Sequence, residues 1–156
     1  MENCILCSEC HREIKNKQYD VVDGRIICYH CLFGHAAPVS IYPIGYVRLV
    51  FPDGKSVITL YPKQKPFMYR LEEEEQITVI YFLHQIDSIR SVFHRGKGGK
   101  GKEVGVFASR TPRRTSRIGI SQVKLLSVQE LDIRVEGLDA FQDSPVLDIK
   151  AVMKKK

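Results

Sequence analysis

The chain has no tryptophan, and aromatic residues make up only 9% of its 156 positions. No apolar run approaches the ~18 residues of a membrane-spanning helix. The densest run, Ile77 to Leu83, has the length of a strand. The opening MENCILC lacks the basic start and apolar segment of a secretory signal, so a cytoplasmic location is expected. No cysteine follows Cys31, and in a reducing compartment the early ones serve as metal ligands or free thiols rather than disulfides. Convincing helical periodicity is scarce, and no internal repeat is present. A working nucleotide-hydrolysis loop is lacking too. Gly96 and Gly101-Lys102 have the phosphate-loop spacing, but Glu103 stands where a magnesium-binding hydroxyl is required. The next residues, Val104 to Phe107, read as strand where that motif needs a helix.

The net charge of +6 favours an anionic partner without naming one. All five cysteines lie in the first 31 residues. Cys7/Cys10 and Cys28/Cys31 form two C-x2-C pairs with seventeen residues between them. Two residues between cysteines let a tight turn aim both sulfurs at one ion, and two such turns complete a tetrahedron that suits zinc. Cys7, Cys10, Cys28 and Cys31 are therefore the candidate ligands of a structural Zn2+ site. Cys4 duplicates the spacing, and His11, His30 and His35 are further possible ligands. A redox or cluster role for the same thiols is the alternative. Between the pairs, Tyr19 to Ile27 reads as a hairpin turning at Asp23-Gly24. The expected division is a zinc-binding module over 1–36 and a second domain over 41–153, joined through Ala36-Ala37-Pro38-Val39-Ser40.

Beyond the linker, strand signals recur. Ile44–Phe51 ends at a Pro52-Asp53-Gly54 turn, and Val57–Tyr61 ends at Pro62. Pro62 to Phe67 is read as loop, and Ser88 to Phe93 is compatible with a helical turn. Leu131 to Glu136 alternates strictly, as do Leu147, Ile149 and Ala151 with their polar neighbours. Short strands without intervening helices predict an all-β fold, an antiparallel β-barrel preceded by the small zinc-binding module.

Two basic stretches are candidate nucleic-acid contacts. Lys97, Lys100 and Lys102 sit in a glycine-rich loop able to approach phosphates. Arg113, Arg114 and Arg117 belong to a run from Arg110 that lies between two expected strands, and guanidinium groups suit phosphates or carboxylates.

Several short segments, in order, resemble the TsaA-like or TrmO-type methyltransferases. They are Pro43-Ile44-Gly45-Tyr46-Val47-Arg48, Phe82-Leu83-His84-Gln85, Gly105-Val106-Phe107-Ala108-Ser109-Arg110, Ile118-Gly119-Ile120-Ser121, Glu136-Gly137-Leu138-Asp139 and Ser144 to Lys150. The resemblance covers Ile44 to Val152. It implies a β-barrel enzyme, in keeping with the lack of any strand–G-x-G-x-x-G–helix unit. It also implies S-adenosylmethionine as cofactor, the N6 position of a modified tRNA adenosine as methyl acceptor, and a homodimer. Carried over by position, His84, Gln85, Arg110, Ile120, Glu136, Gly137, Leu138 and Asp139 would hold the cofactor. Two departures stand out. The Pro-Arg-Gln segment usual after the first strand has no equivalent, and Arg114-Thr115-Ser116-Arg117 replaces an Arg-Pro-Asn-Pro corner. They leave open two alternatives: a non-catalytic RNA- or protein-binding barrel, or a small-molecule methyltransferase.

Overall fold

The computed structural model describes residues 4–153, apart from the side chain of Lys97, which lies outside the described residues. Among the described residues there are ten strands: β1 (Tyr19–Val22), β2 (Arg25–Cys28), β3 (Gly45–Val50), β4 (Lys55–Leu60), β5 (Gln76–Phe82), β6 (Val92–His94), β7 (Glu103–Gly105), β8 (Ile118–Gln129), β9 (Asp132–Glu136) and β10 (Pro145–Ala151). The single α-helix among the described residues, α1, spans Tyr29–Phe33. The chain divides into two units. One comprises Met1–Val39 and Gln85–Arg117, the other Ser40–His84 and Ile118–Lys156.

The second unit is a closed antiparallel barrel in the order β10-β3-β4-β9-β8-β5. Closure leaves no free sheet edge to pair with another chain. Its core follows from strand alternation. On β5, Ile77, Val79 and Tyr81 are buried while Thr78, Ile80 and Phe82 are half-exposed. Ile58 and Ile133 face each other across β4 and β9, both fully buried, and Val47, Val123, Val135 and Val146 complete the interior. Slips in register within the β3–β4, β8–β9 and β10–β5 pairings bend the sheet enough to close. Phe82 pairs with Ile118, so the chain leaves β5 and enters β8 at opposed positions.

The expected barrel is present, with local differences. Pro62–Met68 forms a 3-10 helix rather than a loop. Proline suits its first position because no donor is needed there. Val104–Phe107 is strand only to Gly105. Val106–Ala108 then turns as a 3-10 helix, closed by the Ser109 amide and hydroxyl donating to the Val106 carbonyl at 3.0 and 2.8 Å. Ser88 to Phe93 makes no helical turn. Ile89 is extended, bridging Val22, and Val92 starts β6. The β-branched Ile89 gains more from burial against β1 than from a short helix.

In the first unit, β1 and β2 form the expected hairpin, with Asp23 (φ 49°) and Gly24 (φ 78°) both left-handed at its turn. That is the two-residue turn whose twist matches the strands. β6 and β7 pair as a second short hairpin around the glycine-lysine loop.

Candidate functional site

In the first unit, the Cys7, Cys10, Cys28 and Cys31 sulfurs all lie within 4.8 Å of one another. Cys7–Cys31 and Cys10–Cys28 are each 3.9 Å apart. Four sulfurs around a zinc ion at about 2.3 Å stand about 3.8 Å apart, close to the two 3.9 Å pairs seen here, so the donor set fits the ion. The first knuckle is shaped by the Cys7 carbonyl accepting the His11 amide at 2.9 Å, with His11 in the left-handed region (φ 58°). In the second, Cys28 ends β2 and Cys31 lies one turn into α1. Backbone amides prepare the site for thiolate. The Cys28 amide donates to the Cys7 sulfur at 3.4 Å, and this bond, with a second from the Cys10 backbone, lowers the Cys7 thiol to about 6. Hydrogen bonds from the Arg12 side chain and backbone pull Cys10 down as well. Cys31, sharing hydrogen bonds with Cys10 and Cys28, is pushed up to about 12. Cys4 and the three candidate histidines stand outside the cluster. His30 and His35 stack edge to face at 4.6 Å instead.

In the barrel, the proposed cofactor residues fall at strand ends. His84 is exposed after β5, and its Nδ1 lies 3.3 Å from the hydroxyl of Ser144, which is 2% exposed. Ile120 projects outward from β8, more than half exposed. The residues on either side of it face the barrel interior. Gly119 pairs with Tyr81, and a Cβ there would overlap the tyrosine ring. The Tyr81 hydroxyl meets the Ser121 hydroxyl at 3.2 Å and donates to the Asp139 carbonyl, while the Asp139 amide donates to Ser121 Oγ at 3.4 Å. Burial raises the Tyr81 phenol above its usual range, with the nearby Asp139 charge adding to it.

The corner from Glu136 to Asp139 is thereby fixed at three points. Leu138 inserts into the core, the Asp139 backbone is clamped from both sides, and the Gly137 amide donates to the Gly54 carbonyl at 3.0 Å. Gly137 (φ 91°) takes a conformation that suits glycine alone. Glu136 lies cross-strand between Lys55 and Lys124, whereas the exposed Asp139 carboxylate has no partner among the described residues. A free carboxylate on a fixed backbone is suited to accept hydrogen bonds from ammonium or hydroxyl groups. Tyr81, Ser121 and Ser144 were not singled out from sequence; their signal is a hydroxyl in an otherwise apolar inward row.

The remaining candidates belong to the first unit. Gln85 is exposed where the chain leaves the barrel. Arg110 is exposed and lines a cavity of about 540 Å³ with Phe93, Arg95, Phe107 and Ser109. Lys100 and Lys102 are exposed in the glycine loop. The arginines 113, 114 and 117 are engaged by their own chain. Arg113 donates to Ser88 and to Asp87 at 3.3 Å, and Arg114 to the Ser109 and Thr111 carbonyls at 2.7 and 2.9 Å. Arg117 pairs with Asp20, whose carboxylate is nearly buried.

A further concave surface of the barrel, about 420 Å³, is lined by Ile44, Leu60, Gln64, Phe67, Met68 and Leu71 and contains none of the expected cofactor residues. No described helix is long and apolar enough to cross a membrane.

Comparison with known proteins covers the barrel and the 85–117 segment alike. A probable S-adenosyl-L-methionine-binding protein of Methanothermobacter thermautotrophicus is 36% identical over 124 residues, 72% of this chain and 88% of the relative. An S-adenosyl-L-methionine-binding protein of Archaeoglobus fulgidus is 33% identical over 102 residues, 64% of this chain and 70% of that one. The crystal structure of TrmO from Pseudomonas aeruginosa superposes with a TM-score of 0.62 at 26% identity, over 76% of this chain. This chain spans only 56% of that protein's length. Residues 48–156 match the model of the tRNA-methyltransferase O N-terminal domain, and the chain belongs to that family.

Proposed function

We propose that this protein is an S-adenosylmethionine-dependent methyltransferase of the TrmO type, acting on N6 of a modified adenosine in tRNA, with a zinc ion held by its four clustered cysteines. The observation that carries the reading is the clamped Glu136–Asp139 corner within a chain of this family: Tyr81 and Ser121 hold the Asp139 backbone, so its free carboxylate extends from a corner that does not need to reorganise on binding.

When bound, the cofactor supplies an activated methyl group on a sulfonium. Asp139 would take the ammonium or ribose hydroxyls. His84, its Nδ1 tied to Ser144, offers its other ring nitrogen outward. Arg110 would meet a carboxylate or phosphate. Gln85, Ile120 and the Gly137-Leu138 backbone complete the set. The chain's task is then alignment of acceptor nitrogen and methyl carbon rather than provision of a strong base. Lys97, Lys100 and Lys102 would approach the tRNA backbone. A homodimer belongs to the same reading and is checked by light scattering.

The test is calorimetric titration with S-adenosylmethionine, followed by nucleoside analysis of tRNA from cells with and without the gene. Saturable binding, weakened about tenfold (about 1.4 kcal/mol) by Asp139→Ala or Arg110→Ala, is expected. No binding at millimolar cofactor would refute the reading. A barrel that binds RNA without methyl transfer is the competing possibility, favoured by the absent Pro-Arg-Gln segment. Its signature is RNA affinity that falls steeply with salt while tRNA nucleosides stay unchanged.

A further inference from the structure

The segment 85–117 has little apolar burial of its own to order it. β6 and β7 pair over three residues, and the only buried apolar side chains in the segment are Ile89 and Val106. Its order comes from β1. Ile89, 2% exposed, donates its amide to the Val21 carbonyl at 2.7 Å and accepts the Asp23 amide at 3.0 Å. The Ser91 amide donates to the Asp23 carboxylate at 3.0 Å. Hydrogen bonding by Ser91 holds that carboxyl below its usual range. At the far end, Arg117 is paired with the nearly buried Asp20. Asp20 and Val21 on β1, with Asp23 in the turn that follows, thus hold both the beginning and the end of the segment.

Between these anchors the segment is tied to itself. The Arg90 amide donates to the Arg113 carbonyl at 3.1 Å, and Arg95 to the Ala108 carbonyl at 2.6 Å. Arg114 closes the turn around Ser109 to Pro112, and Arg113 reaches back to Ser88 and Asp87. Of the four arginines from 110 to 117, only Arg110 has its guanidinium free among the described residues. The strand that anchors this arrangement belongs to the hairpin whose β2 ends in Cys28, a member of the sulfur cluster. A two-stranded hairpin is marginal in water by itself, so the cluster is what fixes β1.

We infer that the four-cysteine site controls Arg110: the metal fixes the β1–β2 hairpin, and Asp20 and Asp23 act as positioning residues that hold the 85–117 strap. Loss of metal relaxes the strap and removes its contribution to anionic ligand binding. Arginines 113, 114 and 117 are internal braces, and the module is a regulator of the site rather than an appendage. This rests on the metal and cofactor assignments proposed above.

The experiment compares amide hydrogen exchange in the full chain loaded with zinc and in the same protein stripped by chelator under reductant. Exchange across 85–117 should rise about tenfold or more on stripping, together with β1 and β2, while β5 and β8 stay protected. Asp20→Asn and Asp23→Ala leave the cysteines intact. Each should retain one zinc, loosen 85–117 and weaken S-adenosylmethionine binding, with barrel protection unchanged; Asp20→Glu should restore binding. Protection of 85–117 that survives stripping, or is unaffected by both aspartate changes, overturns the inference while the zinc assignment stands. Less than half an equivalent of zinc in the purified protein overturns both. Failure of the zinc-loaded wild type to bind cofactor refutes the methyltransferase assignment and, with it, the ligand-binding half of the inference.

Discussion

Tyr81→Phe removes one oxygen from the barrel and tests whether a buried hydroxyl holds the Asp139 corner. The ring's packing is retained, so the loss is confined to polar contacts. The hydroxyl donates to the Asp139 carbonyl and meets Ser121 at 3.2 Å. A net hydrogen bond contributes about 0.5–1.5 kcal/mol, and a carbonyl left without its donor adds about 1 kcal/mol more. The variant should therefore lose about 1–3 kcal/mol. Chemical denaturation followed by circular dichroism should show this as a lower midpoint with an unchanged slope. The pH dependence gives a second reading. Burial raises the folded phenol pKa, with the Asp139 charge adding to it, so the neutral form is the one the fold favours. Its contribution is complete below the ordinary tyrosine pKa of about 10 and is lost as pH rises through the higher folded value. The variant should lack this alkaline limb. An unchanged midpoint together with an unchanged alkaline profile would show that the hydroxyl does not hold the corner.

Other perturbations probe separate parts of the molecule. Ile133→Ala empties a fully buried position between β4 and β8 and should cost about 2–5 kcal/mol by denaturant titration. Gly119→Ala places a Cβ against the Tyr81 ring and should destabilise the barrel by about 1–3 kcal/mol; a neutral result would mean the ring moves aside freely. Gly137→Ala forces a non-glycine residue to φ 91° and should cost about 1–3 kcal/mol while weakening cofactor binding. Cys28→Ser should abolish stoichiometric zinc by metal analysis and leave the barrel's β5 and β8 amides protected, since the cysteines lie in the other unit.

Much of this was legible in the residues. The C-x2-C pairs and the Asp23-Gly24 turn specify local geometry, so short-range chemistry suffices to read them. β5 shows its inward row because Ile77, Val79 and Tyr81 alternate without interruption. β8 is harder to read. It runs on to Gln129, but the register slip between Leu125 and Ser127 breaks the alternation that would reveal its second half. The arginine run is ambiguous for a different reason. A guanidinium suits a phosphate as well as it suits a backbone carbonyl or Asp20, and only the folded chain brings those acceptors near. The Asp139 clamp likewise depends on Tyr81, far away in sequence and adjacent only once the barrel closes.

The pairing of Phe82 with Ile118 makes everything between them one outsized hairpin connection. Loop-closure entropy grows only with the logarithm of length, so a long excursion costs about 2 kcal/mol more than a tight turn. The barrel can therefore lose, lengthen or exchange that excursion with its strand register intact. A turn of two residues grafted across Phe82 and Ile118 should give a small barrel that still closes, separating the part of the protein that folds by itself from the part that can be re-equipped.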